Sequence, residues 1–302
     1  MDSGTGADAA ALQRSYEVVQ PLDATTAEAL LREAKQIMDR LGIVFFLRHG
    51  TCLGAVRDRA FIPWDDDLDL GSVIGLHGVG EGSVDRVASA FRDNGYFVKL
   101  DPSDHYIALA MMKSYMRIDW TCHRIIDDSI FHFPGVRIPI RLLTHLKEID
   151  FIGEKFLVPN PPEEYLRFKY GPNWTTPKKT GYEKDILDNI PEGPLPGRGG
   201  RLQGLVRRLF PRWRTVKLRV LGEAGTPVPG AEVAIPGLGR SRTNGRGEAS
   251  FYLPGDDWYA LVVTFDGHEE VLYQEMLTRG GTFVYRRDPS ATSGRLLALS
   301  PE

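Results

Sequence analysis

The chain has 302 residues, a formal net charge of −3 and 25% charged residues, a balance that excludes a strongly basic polyanion binder and makes nucleic acid an unexpected partner. No run approaches the roughly 20 apolar residues needed to cross a bilayer, and the start MDSGTGADAAALQRS lacks the basic and apolar pattern of a signal peptide. The two cysteines, Cys52 and Cys122, form neither a metal-binding spacing nor a disulfide framework, so a reducing, cytoplasmic setting is expected.

Residues 1–20 are small and polar and read as a flexible tail. A helix follows, capped by Thr25 or Thr26, with Leu30, Leu31, Ala34, Ile37, Met38 and Leu41 at helical spacing and Gly42 placed to end it. Ile43 to Leu47 reads as a strand, Gly50-Thr51 as a small-residue turn, the next residues as a short helical stretch carrying Arg57, and Leu68 to Val73 as a second strand.

Between the last two elements stands the acidic run Asp65, Asp66, Asp67 and Asp69. If the run enters a strand, Asp67 and Asp69 face the same way. Their repulsion is costly unless a metal or another cation neutralises it. An EF-hand loop fails on spacing, because Leu70 takes the place of the required glycine and Leu76 that of the closing glutamate. Phe61, Ile62, Pro63 and Trp64 before the run suit a segment entering a core. Backbone amides at Gly50-Thr51 and the guanidinium of Arg57 are candidate phosphate contacts, with Asp65 and Asp66 supporting the loop or meeting a second metal.

Ser83 to Asn94 reads as an amphipathic helix, and Tyr96 to Leu100, Tyr106 to Met112 and Tyr115 to Cys122 as successive strands. The last holds Asp119 between Ile118 and Trp120, a placement that fits either a functional carboxylate or an outward position on a half-exposed sheet. FIGEKFLVPNPPEEYLRFKY reads as a hairpin followed by a proline-started helix. Residues 191–214 comprise a proline- and glycine-rich linker and a basic amphipathic segment, 201–214, suited to an anionic membrane surface or to docking on the protein itself. From 215 to 288 six short alternating runs separated by turn signals read as a small all-β sandwich, and 289–302 as a tail.

The ordered set Gly50, Thr51, Leu53, Gly54, Arg57, Phe61 to Asp67 and Asp69 resembles the core motif of the LicD and fukutin-related phosphotransferases, a branch of the polymerase-β-like nucleotidyltransferase superfamily. Val158, Pro159, Tyr165, Leu166, Tyr170, Gly171, Trp174 and Pro177 resemble a second block of that family. One departure is His49, which stands where a small residue or glycine is more usual. The run VPGAEVAI and its continuation RTNGRGEASFYLPGDDWYALVV resemble carboxypeptidase-regulatory-like, transthyretin-related modules.

The resemblance implies an α+β fold, a nucleotidyltransferase-like mixed sheet with flanking helices over residues 21–190, followed by the sandwich. It implies Mg²⁺ or Mn²⁺ on Asp67, Asp69 and Asp119, the last as third ligand or as general base. It also implies a CDP-activated donor and a glycan or glycolipid acceptor for a phosphocholine- or alditol-phosphate-type group. Two alternatives stay open at this point: nucleotidyl transfer, for example of AMP, and a non-catalytic glycan-binding protein with a degenerate transferase fold.

Overall fold

The computed structural model describes residues 3–18, 20–188, 190, 214–290 and 294–302. They fall into two compact units, Met1–Phe131 with Arg137–Thr176, and His132–Val136 with Pro177–Glu302. The linker and basic segment expected at 191–214 lie, apart from Arg214, outside the described residues. Among the described residues no helix is long and apolar enough to cross a membrane.

The first unit opens with a correction. Ser3–Glu17, expected as part of a tail, is the helix α1. Its composition carries almost no apolar stripe, yet tertiary contacts bury Leu12 to 2% exposure and set the helix against the strands β3 (Phe97–Pro102) and β4 (Tyr106–Lys113). Helix α2 (Ala24–Leu41) buries Ala27, Leu30, Leu31, Ala34, Ile37 and Met38, the face its periodicity predicts. Its cap is Asp23 rather than Thr25 or Thr26: the Asp23 carboxylate accepts the Thr26 N–H at 2.8 Å, and Gly42 ends the helix in the left-handed region at φ 66°.

Five strands form a mixed sheet. In chain order they are β1 (Phe46–Leu47), β2 (Asp67–Val73), β3, β4 and β5 (Met116–His123), and in space β1-β2-β5-β4-β3. The β2–β5 pair is parallel, and the chain between them runs through helix α4 (Glu81–Asp93) and the β3–β4 hairpin. Strand β1 is shorter than the predicted Ile43 to Leu47, and the Val44 carbonyl just before it accepts from the Ser72 hydroxyl at 2.8 Å. Between β1 and β2 lie the short helix α3 (His49–Leu53) and one π-helical turn, Gly54–Asp58. Gly54 is required there, since a Cβ would stand 2.5 Å from the Ala60 carbonyl oxygen.

The ribbon β6 (Ser129–His132) and β7 (Val136–Pro139) and the single-turn helix α5 (Arg141–Thr144) follow. The predicted hairpin is β8 (Lys147–Phe151) with β9 (Glu154–Val158), and the predicted proline-started helix is α6 (Pro162–Tyr170). Phe61 stacks edge-on to Phe151 with centroids 5.1 Å apart, which ties the segment before the acidic run to this hairpin.

In the second unit α7 (Tyr182–Asp188) precedes two sheets. In chain order the strands are β10 (Thr215–Leu221), β11 (Glu232–Ile235), β12 (Gly239–Arg242), β13 (Glu248–Tyr252), β14 (Asp257–Phe265), β15 (His268–Leu277), β16 (Thr282–Arg286), β17 (Arg295–Leu296) and β18 (Ser300–Pro301). One sheet runs β13-β10-β16-β18, the other β12-β11-β14-β15-β17. Alternate residues of both sheets, among them Val216, Leu218, Val220, Val233, Ile235, Leu261, Val263 and Tyr285, share one buried cluster. The C-terminal residues are corrected as well: β17 and β18 are edge strands rather than a tail.

Candidate active site

Strands β2 and β5 build the site by simple alternation. In their parallel register Asp67 lies beside Arg117 and Asp69 beside Asp119, so four charged residues share one face. Between them Leu68, Leu70, Ile118 and Trp120 are fully buried on the other face. That apolar face anchors the strands, and the indole N–H of Trp120 donates to the Ser72 hydroxyl at 2.9 Å. Asp67 and Asp69 are thus held on the sheet, while Asp65 and Asp66 stand in the segment just before β2.

Three carboxylates converge at the entrance to β2. Among the described residues, one oxygen each from Asp65, Asp66 and Asp67 lie within 4.8 Å of one another, a donor set of hard oxygens that fits a divalent cation such as Mg²⁺ or Mn²⁺. Asp119 stands beside Asp69 in the parallel register, with its Oδ2 3.3 Å from Nε of Arg117. Asp69 is paired with Arg48, whose Nη2 lies 3.0 Å from its Oδ1.

The structure explains how Arg48 gets there. Gly71 sits on the site face of β2, and a Cβ on it would meet the Phe46 ring at 2.8 Å and the Arg48 Cδ at 3.2 Å. The side chain crosses this gap, donates from Nε to the Leu70 carbonyl at 2.9 Å and reaches Asp69. Gly50 makes a second close approach: a Cβ there would fall 2.1 Å from Oδ2 of Asp65. The Thr51 hydroxyl accepts the Asp69 backbone N–H at 2.8 Å. Gly50 and Thr51 therefore hold two members of the acidic set in place.

Arg117 is the hub. Its Nη2 contacts Asp66 at 3.1 Å and Asp67 more closely, and its Nε lies 3.3 Å from Asp119. Burial alone would lower its pKa, but Asp67, Asp119 and Asp66 together raise it well above the usual arginine value. The carboxylates show the converse. Burial first, then the neighbouring Asp67, push Asp66 up to about 7 against the pull of Arg117. Asp119 is pushed up to about 6 by burial, with Arg117 lowering it and Asp67 raising it. Asp65 and Asp69 are raised well above the carboxylate range, again by burial and then by Asp67. Negative charge is in excess here even with the arginines in place.

Sequence reasoning missed Arg48, Arg117, Lys169 and Tyr16. Lys169 is 2% exposed on α6, and burial, then Arg48, bring it down to about 7 while Asp69 raises it. Its signal was a lysine in line with the buried Tyr165 and Leu166 on one helix face. Arg48 could have been read as the charged end of an apolar strand. Tyr16 of α1, whose ring lies 4.8 Å from the Arg117 guanidinium carbon, carried no sequence signal. Arg57, a predicted phosphate contact, is paired with Asp58, with Nε 2.8 Å from Oδ1 and Nη2 2.6 Å from Oδ2.

His49 explains its own unusual standing. It adopts φ 43°, a region that favours glycine. Its backbone N–H donates to the Tyr165 hydroxyl at 3.2 Å, and its Nδ1 lies 3.7 Å from the Asp69 carboxylate.

Comparison with known proteins finds similarity over the segment that holds this site. Residues 42–161 match the family described as LicD/FKTN/FKRP, nucleotidyltransferase domain. The ribitol-5-phosphate transferase FKTN of Homo sapiens is 27% identical over 184 residues, covering 57% of this chain and 38% of that protein. The ribitol 5-phosphate transferase FKRP of Mus musculus is 30% identical over 146 residues, covering 45% of this chain and 29% of that protein. An uncharacterized protein of Rickettsia typhi is 33% identical over 70 residues, covering 23% of this chain and 21% of that protein. The matched stretch is thus well under half the length of these relatives. It contains every carboxylate of the site and both site arginines, and residues 42–161 are similar to the LicD/FKTN/FKRP nucleotidyltransferase domain.

Proposed function

We propose that the protein transfers a substituted phosphoryl group, of the alditol-phosphate or phosphocholine type, from a CDP-activated donor to a glycan hydroxyl and releases CMP. The observation that carries this reading is the β2–β5 register, which sets Asp67, Asp69 and Asp119 on one sheet face inside the segment matching a family whose named members transfer ribitol phosphate.

Asp67, Asp69 and Asp119 are the residues proposed to hold Mg²⁺ or Mn²⁺, with Asp65 and Asp66 completing the acidic set. The ion would supply charge neutralisation for a diphosphate and its leaving group. Arg48 adds fixed positive charge beside Asp69, Lys169 adds charge there only below about pH 7, and the Gly50-Thr51 amides and Arg57 are the proposed phosphate contacts. Asp119 takes the acceptor hydroxyl proton when it is not itself a ligand; its carboxyl, pushed up to about 6, is suited to base catalysis near neutral pH.

Residues 215–288 of the second unit are proposed as a carboxypeptidase-regulatory-like β-sandwich that binds or packs rather than catalyses. A cytoplasmic location at a membrane face belongs to the same reading, with residues 201–214 as the membrane contact and with Cys52 and Cys122 both free.

A donor screen tests the reaction. Purified protein is incubated with CDP-ribitol, CDP-glycerol, CDP-choline or nucleoside triphosphates, with Mg²⁺ or Mn²⁺ and a glycan acceptor. Cation-dependent CMP release is expected. Pyrophosphate release from a triphosphate would instead establish nucleotidyl transfer, and silence with every donor would favour the non-catalytic alternative.

A further inference from the structure

All three nitrogens of the Arg117 guanidinium are engaged, and they divide between two parts of the molecule. Nε and Nη2 face the carboxylates, where Nη2 donates to Oδ2 of Asp66 and Oδ2 of Asp67, and Nε donates to Oδ2 of Asp67 at 3.2 Å and lies 3.3 Å from Asp119. Nη1 faces helix α1 and donates to the Ser15 hydroxyl at 3.1 Å and the Ser15 carbonyl at 3.4 Å. The Tyr16 ring covers the same guanidinium at 4.8 Å, a cation–π contact. Leu12, 2% exposed, anchors the helix one turn earlier. None of these α1 residues belongs to the segment 42–161 that matches the family.

We propose that Arg117 is an internal counter-cation of the acidic cluster, held there by Ser15 and Tyr16, so that helix α1 sets how tightly the cluster takes a divalent cation. Asp66 and Asp67 belong both to the oxygen set that fits a cation and to the partners of Arg117, so the two cations compete for the same carboxylates. Their like charges also repel at such range. An arginine tethered only by carboxylates would swing aside when a metal arrives. The hydrogen bonds from Nη1 and the overlying ring favour the inward pose and oppose that movement. Two residues of a helix outside the matched domain thereby become positioning residues of its site.

This inference rests on the metal reading above. The test measures Mn²⁺ binding to the full chain by isothermal titration calorimetry, with no donor or acceptor present. Arg117→Gln removes the competitor and should bind Mn²⁺ about tenfold more tightly or better, on the order of one ion-pair coupling of about 1.4 kcal/mol. The double variant Ser15→Ala, Tyr16→Leu keeps every charge of the cluster and only loosens the tether, and a gain of about threefold is expected. If Arg117→Gln does not fold, as judged by circular dichroism, the double variant decides alone. A double variant within twofold of the wild type, or weaker, overturns the role of α1. An Arg117→Gln protein that folds and binds no tighter overturns the competition. No Mn²⁺ binding by the wild type removes the metal reading itself, and this inference with it.

Discussion

In the second unit the buried carboxylates Glu270 and Glu275 have donors of their own. Glu270 accepts from the Tyr285 hydroxyl at 2.6 Å and from Arg295 Nε at 2.5 Å, and Glu275 accepts the backbone N–H groups of Ala298 at 2.6 Å and Leu299 at 3.0 Å. In the first unit Asp65, Asp66, Asp67, Asp69 and Asp119 share Arg48, Arg117 and Lys169. The first arrangement gives each carboxylate donors of its own and ties Ala298 and Leu299 to Glu275; the second leaves negative charge in surplus. A buried carboxylate with its own donors is structural, whereas carboxylates outnumbering their cations mark a place built for an additional positive charge.

The sharpest way to break this contrast is Asp67→Asn or Asp69→Asn. Loss of either carboxylate should cut turnover on the order of 10³-fold or more. Stability of the metal-free protein should stay within about 1 kcal/mol or rise, because repulsion is relieved. Near-normal turnover in either variant would remove it from the metal set. Asp119→Asn comes next, with an expected loss of about 10²–10⁴ in maximal rate and a smaller change in donor affinity. Steady-state kinetics with a thermal melt separate that outcome from an inert surface position.

Glu270→Gln should behave in the opposite sense. Losing a carboxylate that serves Tyr285 and Arg295 should cost about 1.5–3 kcal/mol, while turnover per folded molecule stays within about twofold. Denaturant melts of the full chain provide the check, and a Glu270→Gln protein as stable as the wild type would erase the distinction drawn between the two sets.

The surplus charge also predicts a pH dependence. Asp66 and Asp119 are raised in the folded protein to about 7 and about 6, above the ordinary aspartate value of about 3.9. The folded state therefore holds their protons longer than the unfolded chain does, so the stability they contribute is present at acid pH and lost as pH rises through 6 and 7. Lys169, depressed to about 7, has the reverse sign and acts only above that pH. The melting temperature of metal-free protein should fall between pH 5 and 7, and Mg²⁺ should flatten the slope. A melting temperature that rises over that interval without metal would contradict the surplus. The smallest effect is expected for Arg57→Ala, within about 0.5 kcal/mol in stability; a raised donor KM with unchanged kcat would mark it as a phosphate contact despite its pairing with Asp58.

Strands with clear alternation and helices with a continuous apolar stripe were legible in the chain. Helix α2, the β8–β9 hairpin, α6 and the strands β10 to β16 lie close to where periodicity, glycine and proline place them, save that the four-residue β12 was not read as a run. The motif also showed that Asp67 and Asp69 share a face, since a period of two needs no partner strand. Elements that bury little by themselves were not legible. Helix α1 and the edge strands β17 and β18 have weak patterns, and partners distant in sequence hold them: Arg117 meets the last turn of α1, and Glu275 meets the backbone of Ala298 and Leu299.

The sequence alone determined which residue types gather at the site and in what order, because local spacing dictates which side of a strand each carboxylate takes. Only the tertiary structure decided who neutralises them. The parallel register puts Arg117 against Asp67 and Asp119 against Asp69, the gap at Gly71 admits Arg48, and α6 brings Lys169 near Asp69. Electrostatic pairing depends on separation in space, and residues 50 or 100 positions apart come within 3 to 4 Å only once the sheet has formed.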